Sequence, residues 1–122
     1  MSTQIIKLNK GDSYEFPFVF KDKNGALQFL KTDEVIYFAI VLPNQAFEDA
    51  VIVKGYTAED QNAENAELLI KITPNDTRQL SPGSYYYTLK YQRGGTLDVI
   101  NDLDNAVEVR TLIDRTKFII YN

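Results

Sequence analysis

The side chains able to do chemistry in this sequence are almost all oxygen-bearing. There are seventeen Asp and Glu residues and eight Tyr, but no His and no Cys. Thiol nucleophiles, disulfides and His- or Cys-based metal sites are therefore absent, as is the side chain that most often serves as a general base. Carboxylates remain. Asp102 and Asp104, flanked by Asn101 and Asn105, offer oxygens of the kind Ca²⁺ accepts. The run lacks the Gly and the distal Glu of an EF-hand loop, so it reads as a solvated loop. Glu59, Asp60, Glu64 and Glu67 read likewise as a solvated acidic face. Paired carboxylates can hydrolyse glycosidic bonds, yet nothing in the pattern marks a pair as buried. No G-x-S-x-G and no Gly-rich phosphate loop occurs. The expectation is a protein that is not an enzyme, with no catalytic residue, no cofactor and no resident metal.

Stacking is the other chemistry on offer. Tyr56, Tyr86 and Tyr91 could present ring faces to sugars if exposed, although Tyr is also simply a good strand residue. A carbohydrate- or surface-binding module is therefore the alternative reading.

The elements that would position these side chains have a hydrophobic period of two nearly throughout. Tyr14, Phe16, Phe18 and Phe20 alternate with Ser13, Glu15, Pro17 and Val19, which predicts a strand with an aromatic core wall. Pro17 cannot donate a ladder hydrogen bond, so that strand belongs at an edge or a bulge. Asn24-Gly25 and Pro82-Gly83 are turn signals. Further strands are expected over residues 3–8, 34–42, 51–57, 67–73, 84–91, 96–100 and 107–113, with 117–121 as a separate last strand after a turn at Asp114-Arg115. Residues 26–30 read as a short extended piece, and 74–80 as a single helical turn. Val107, Val109, Thr111 and Ile113 are expected on one face. Strands this short, spaced by turns, predict an all-β, antiparallel sandwich or barrel of about seven to nine strands, forming a single domain over residues 1–122. The residues expected in the core are Tyr14, Phe16, Phe18, Phe20, Leu68, Ile70, Ile72, Tyr85, Tyr87 and Phe118.

One strand poses a packing question. Val35, Tyr37, Ala39 and Val41 alternate with Ile36, Phe38, Ile40 and Leu42, so both faces are apolar. One face fills the core. The other needs cover, either from a loop of the same chain or from a partner, because exposed apolar patches mark interaction surfaces. Val35, Ile36, Tyr37, Phe38, Ile40 and Val41 are therefore the candidate interface, for a protein partner or a second copy of the chain.

Composition narrows the partners. Net charge is −4, with thirteen scattered Lys and Arg residues, and no basic footprint for nucleic acid exists. The start, Met1-Ser2-Thr3-Gln4, lacks the basic and apolar regions of a signal peptide. The apolar run at 35–42 is too short to span a bilayer.

Leu80-Ser81-Pro82-Gly83-Ser84-Tyr85-Tyr86-Tyr87 resembles the corner before the sixth strand of immunoglobulin-like sandwiches, where a Tyr hydroxyl bonds back to the backbone. A wider resemblance runs through three stretches. The first is Leu8-Asn9-Lys10-Gly11-Asp12-Ser13-Tyr14-Glu15-Phe16-Pro17-Phe18, followed by Lys21-Asp22-Lys23-Asn24-Gly25. The second is Ile72-Thr73-Pro74-Asn75-Asp76-Thr77, through Leu80, Gly83, Tyr85 and Tyr87. The third is Arg110-Thr111-Leu112-Ile113 with Phe118-Ile119-Ile120. In this order they are similar to the N-terminal immunoglobulin-like sandwich domain of baseplate upper proteins and related tail proteins of phages of Gram-positive bacteria. Asp114-Arg115-Thr116 stands where that family usually has a Gly, and residues 44–66 are longer and more acidic. The resemblance implies a virion structural protein, made in the bacterial host cytoplasm and acting by protein–protein contact in assembly. It identifies no functional residues to carry over.

Overall fold

Alternation at residues 14–20 builds one wall of the core. The computed structural model describes residues 5–46, 50–94 and 106–122. In it the aromatic strand is β2 (Tyr14–Val19), paired antiparallel with β5 (Glu67–Ile72) in a two-stranded sheet. With only one neighbour each, both strands are edges, and Pro17 sits where its missing N–H disturbs no ladder. Phe18, Leu68, Ile70 and Ile72 are buried, and Tyr14 and Phe16 pack half-buried against the same core.

The second sheet has five strands in the order β1-β7-β6-β3-β4, formed by β1 (Ile6–Asn9), β3 (Glu34–Val41), β4 (Ile52–Tyr56), β6 (Gly83–Arg93) and β7 (Glu108–Tyr121). It curls over the two-stranded sheet as a half-barrel. Phe16 of one sheet meets Phe38 and Tyr87 of the other with ring centroids 6.1 Å apart in each case. More than half of the described residues lie in strands, and the one α-helix, α1 (Pro74–Arg78), is a single turn. The all-β expectation is met. Each of the ten expected core residues is buried or, for Tyr14 and Phe16, packed against the core.

Three expectations need correction. The five-stranded sheet is mixed, because β1 runs parallel to β7, with Ile6 opposite Phe118 and Leu8 opposite Ile120. A period of two is the same for both strand directions, so alternation could not reveal this. The last two expected strands are one, β7, without a turn at Asp114-Arg115. Eleven positions of β6, Gly83 to Arg93, face thirteen of β7, Glu108 to Ile120, with register shifts near Leu89. Such bulges bend a strand without ending it. They also move Ile113 off the face of Val109 and Thr111: Ile113 is buried, while those two are exposed. Residues 26–30, expected as a short extended piece, pair back on residues 20–22 through an isolated antiparallel bridge between Lys21 and Leu27. The strand expected at 96–100 lies outside the described residues.

The Tyr corner forms at the start of β6. Tyr85 donates its hydroxyl to the Ser81 carbonyl at 2.7 Å. A second tie joins the loops. Buried Gln61 accepts from Leu30 N at 2.7 Å and donates through Nε2 to the carbonyls of Gln28 and Ala66, each at 3.0 Å.

Candidate functional site

Two curled sheets leave two sides where their edges approach, and here the sides differ. On the β4–β5 side the gap is bridged. Lys54 of β4 pairs with Asp76 of α1 at 2.6 Å, and the Tyr56 hydroxyl accepts from Lys71 N of β5 at 3.1 Å. Asp76 is fixed by a reciprocal helix cap: its carboxylate accepts from Thr73 N at 2.8 Å, and Thr73 Oγ1 accepts from Asp76 N at 3.2 Å. Burial alone would raise the Asp76 carboxyl, but hydrogen bonds from Lys54 and Thr73 outweigh it and hold the group below its ordinary value. Burial pushes the Tyr56 phenol up.

The β2–β7 side stays open. No pairing joins the two strands, and β1 covers the outer edge of β7 only from Phe118 onward. A cleft of about 600 Å³ lies there, lined by Pro17 and Val19 of β2, by Lys21 and Lys23, and by Arg110 and Leu112 of β7. Arg110 spans its inner end. Its guanidinium carbon is 5.3 Å from the Phe20 ring centroid and 5.1 Å from that of Tyr91, a cation–π arrangement on both. Nη2 donates to Gln28 Oε1 at 3.3 Å, while Nε is buried without an acceptor. Among the described residues no carboxylate lies within ion-pair distance of Arg110.

Behind Arg110 sits a buried acid. Glu34 accepts the Tyr91 hydroxyl on one oxygen and Lys31 N, at 2.6 Å, on the other. Burial raises the Tyr91 phenol, and the hydrogen bond to the Glu34 carboxylate and its charge raise it further. At the rim, Arg93 and Glu108 form a loose, half-exposed pair at 3.4 Å.

Among the described residues this side offers a strand edge without an outer partner at 108–111, a cation with no carboxylate within ion-pair distance although Asp22 and Glu67 line the same cleft, and exposed apolar side chains at Val107 and Val109. Those are means of holding another chain. Among the described residues no group of three His, Cys, Asp or Glu is placed to hold a metal ion, and no helix is long and apolar enough to cross a membrane.

The six residues of the expected interface all lie on β3, and all are buried within the single chain, so neither of their faces stands open as a docking surface. Ile36, Phe38 and Ile40 belong to the core between the sheets. Val35 and Tyr37 form, with Ala39 and Ala50, a second cluster on the outer face, and Val41 is buried beside them. Gly55 of β4 lies against this cluster: a Cβ there would be in ordinary van der Waals contact with the Tyr37 ring at 3.5 Å and Val35 Cγ2 at 3.7 Å. Asn101, Asp102, Asp104 and Asn105 lie outside the described residues. Of the acidic set, Asp60 accepts from Thr57 N at 2.8 Å, and Glu59 and Glu64 are exposed. Reading the sequence missed Arg110 and the edge that carries it. The available signal was the alternation of Val107, Val109 and Thr111 with the opposite charges Glu108 and Arg110.

No family model, curated protein or solved structure matches the chain.

Proposed function

We propose that this chain is a structural module of a phage or prophage tail or baseplate, built as an immunoglobulin-like sandwich and working by protein–protein contact. The observation that carries the contact reading is the outer edge of β7 before Phe118, which no described strand pairs, standing beside the cleft. Strand edges add strands from other chains, and natural domains leave them bare where such contact is used or else defend them. The immunoglobulin-like reading is supported by the hydroxyl bond from Tyr85 to Ser81 at the corner, and by a five-stranded sheet facing a two-stranded one. The order of the three sequence stretches, from Gly11-Asp12 to Phe118-Ile119-Ile120, supports the tail or baseplate setting.

Carbohydrate binding gains nothing from the three candidate tyrosines. Tyr91 is buried, Tyr86 lies under the Arg115 guanidinium 4.8 Å from its centroid, and the Tyr56 hydroxyl is held by Lys71.

The test is the composition of the particle. Virions or induced prophage particles purified from the producing host should contain the chain by mass spectrometry, and antibody labelling should place it on the tail. Particles that assemble fully and lack the chain would refute the proposal.

A further inference from the structure

The bare run of β7 is self-complementary. Residues 108–111 keep a regular ladder with β6, Glu108 opposite Arg93 through Thr111 opposite Lys90, and the bulges begin only beyond Thr111. Val109 and Val107 are exposed, at 40% and 69%. Residues 108–111 contain neither Pro nor Lys; Lys117 and the bulges beyond Thr111 guard only the rest of the uncovered run, and the two charges within 108–111, Glu108 and Arg110, are opposite in sign. Two of the other edges are guarded: β2 carries Pro17, and β4 carries Lys54 and is tied to α1.

We infer that β7 pairs antiparallel with β7 of a second copy about a two-fold axis through Val109, joining the two five-stranded sheets into one. In that register Val109 meets itself, and Val107 meets Thr111 of the second copy on the outer face. On the inner face Glu108 meets Arg110 of the second copy, and the contact occurs twice because a two-fold interface repeats every pair. The register places a carboxylate beside Arg110, which among the described residues has none within ion-pair distance and whose Nε is buried without an acceptor. Glu108 is free to turn toward it, since its own partner Arg93 is only a 3.4 Å contact with both side chains about two-fifths exposed. Directly opposed side chains in such a ladder have Cβ atoms about 4.5–5.5 Å apart, within reach of an Arg–Glu pair. A second copy is favoured over an unrelated peptide because the sequence Val107-Glu108-Val109-Arg110-Thr111 matches its own reverse in charge and shape.

The inference rests on the contact reading above only in naming one partner, and the two fail separately. Sedimentation equilibrium on the full chain, from micromolar to millimolar, should show a reversible monomer–dimer equilibrium. Val109→Lys sets two ammonium groups against each other on the axis and should weaken the dimer by at least about tenfold. Val53→Lys, on the β4 edge, should leave it unchanged. Glu108→Arg and Arg110→Glu should each weaken the dimer, and the double swap should restore it. Folding of each variant is checked by its far-UV spectrum; should Arg110→Glu not fold, Val109→Lys decides. A monomeric wild type across the range, or a dimer that Val109→Lys leaves intact, overturns the pairing. Either result would leave contact with other particle proteins standing, whereas absence of the chain from particles would not.

Discussion

At the scale of single residues, the polar side chains inside the fold are placed by what they satisfy. Tyr91 and Glu34 are mutually dependent: the phenol has one buried acceptor, and the carboxylate has two donors, Tyr91 and Lys31 N. Tyr91→Phe removes one donor from a buried carboxylate and should cost about 1–3 kcal/mol in urea unfolding. The pH dependence has a definite sign. The phenol is raised in the folded state above its ordinary 10.0, so its contribution is complete below pH 10 and declines as pH climbs beyond that value. Above pH 10 the wild type should therefore lose stability faster than Tyr91→Phe, which has no phenol to ionise. Equal slopes would mean that the burial of this hydroxyl is overstated. Gln61 is a comparable case with backbone partners. Gln61→Leu would leave Leu30 N and the Gln28 carbonyl unpaired and should cost at least about 2 kcal/mol, whereas the Ala66 carbonyl keeps the Phe20 N–H.

At the scale of elements, a five-residue helix cannot hold itself. α1 has one turn, far below the length at which helices are stable alone, so its caps and tertiary ties maintain it. Asp76 serves as cap and as partner of Lys54, and Thr77 Oγ1 accepts from Gly11 N at 2.9 Å and donates to the Asp12 carbonyl at 2.8 Å. Asp76→Ala should destabilise by about 1–2 kcal/mol, mostly through the lost cap, because a partly exposed ion pair adds little. The carboxyl is lowered in the folded state, so its contribution is present above the ordinary value of 3.8 and is lost as pH falls below it. Thermal melts at neutral pH should separate wild type from Asp76→Ala, and melts well below pH 3.8 should bring the two together. The bulges of β7 act at the same scale. They let one strand serve β6 along its length and β1 at its end, and no described strand pairs with its outer edge before Phe118.

At the scale of the whole molecule, closure is one-sided. Lys54–Asp76 fastens β4 to α1 and Tyr56–Lys71 fastens it to β5, while β2 and β7 stand apart across the cleft. A molecule that completes its sheet with a second copy gains stability by mass action, so its melting temperature should rise with protein concentration. Differential scanning calorimetry over about two decades of protein concentration should show that rise for the wild type and none for Val109→Lys. A melting temperature independent of concentration in both would leave the open side without a role in self-association.

What the sequence by itself determined is local and one-sided. Alternation marks which side chains of residues 14–20, 67–73 and 84–91 face inward, and the Pro82-Gly83-Tyr85 grammar places the corner, because both depend on neighbours along the chain. The direction of β1, the bulges that turn Ile113 inward, and the side left open depend on which strands meet. The β1–β7 pairing joins residues more than a hundred positions apart, as in Ile6 with Phe118, and no local period records it or the register shifts between β6 and β7. The second face of β3 shows the same limit. Its apolar pattern stated that cover was needed, but only the packed fold supplied it from within the chain, with Ala50 packed against Val35, Tyr37 and Ala39. Arg110 is ordinary in the sequence. It gains its place because folding stacks it on Phe20 and Tyr91, leaves it without a carboxylate, and sets it on an edge that no other described strand covers.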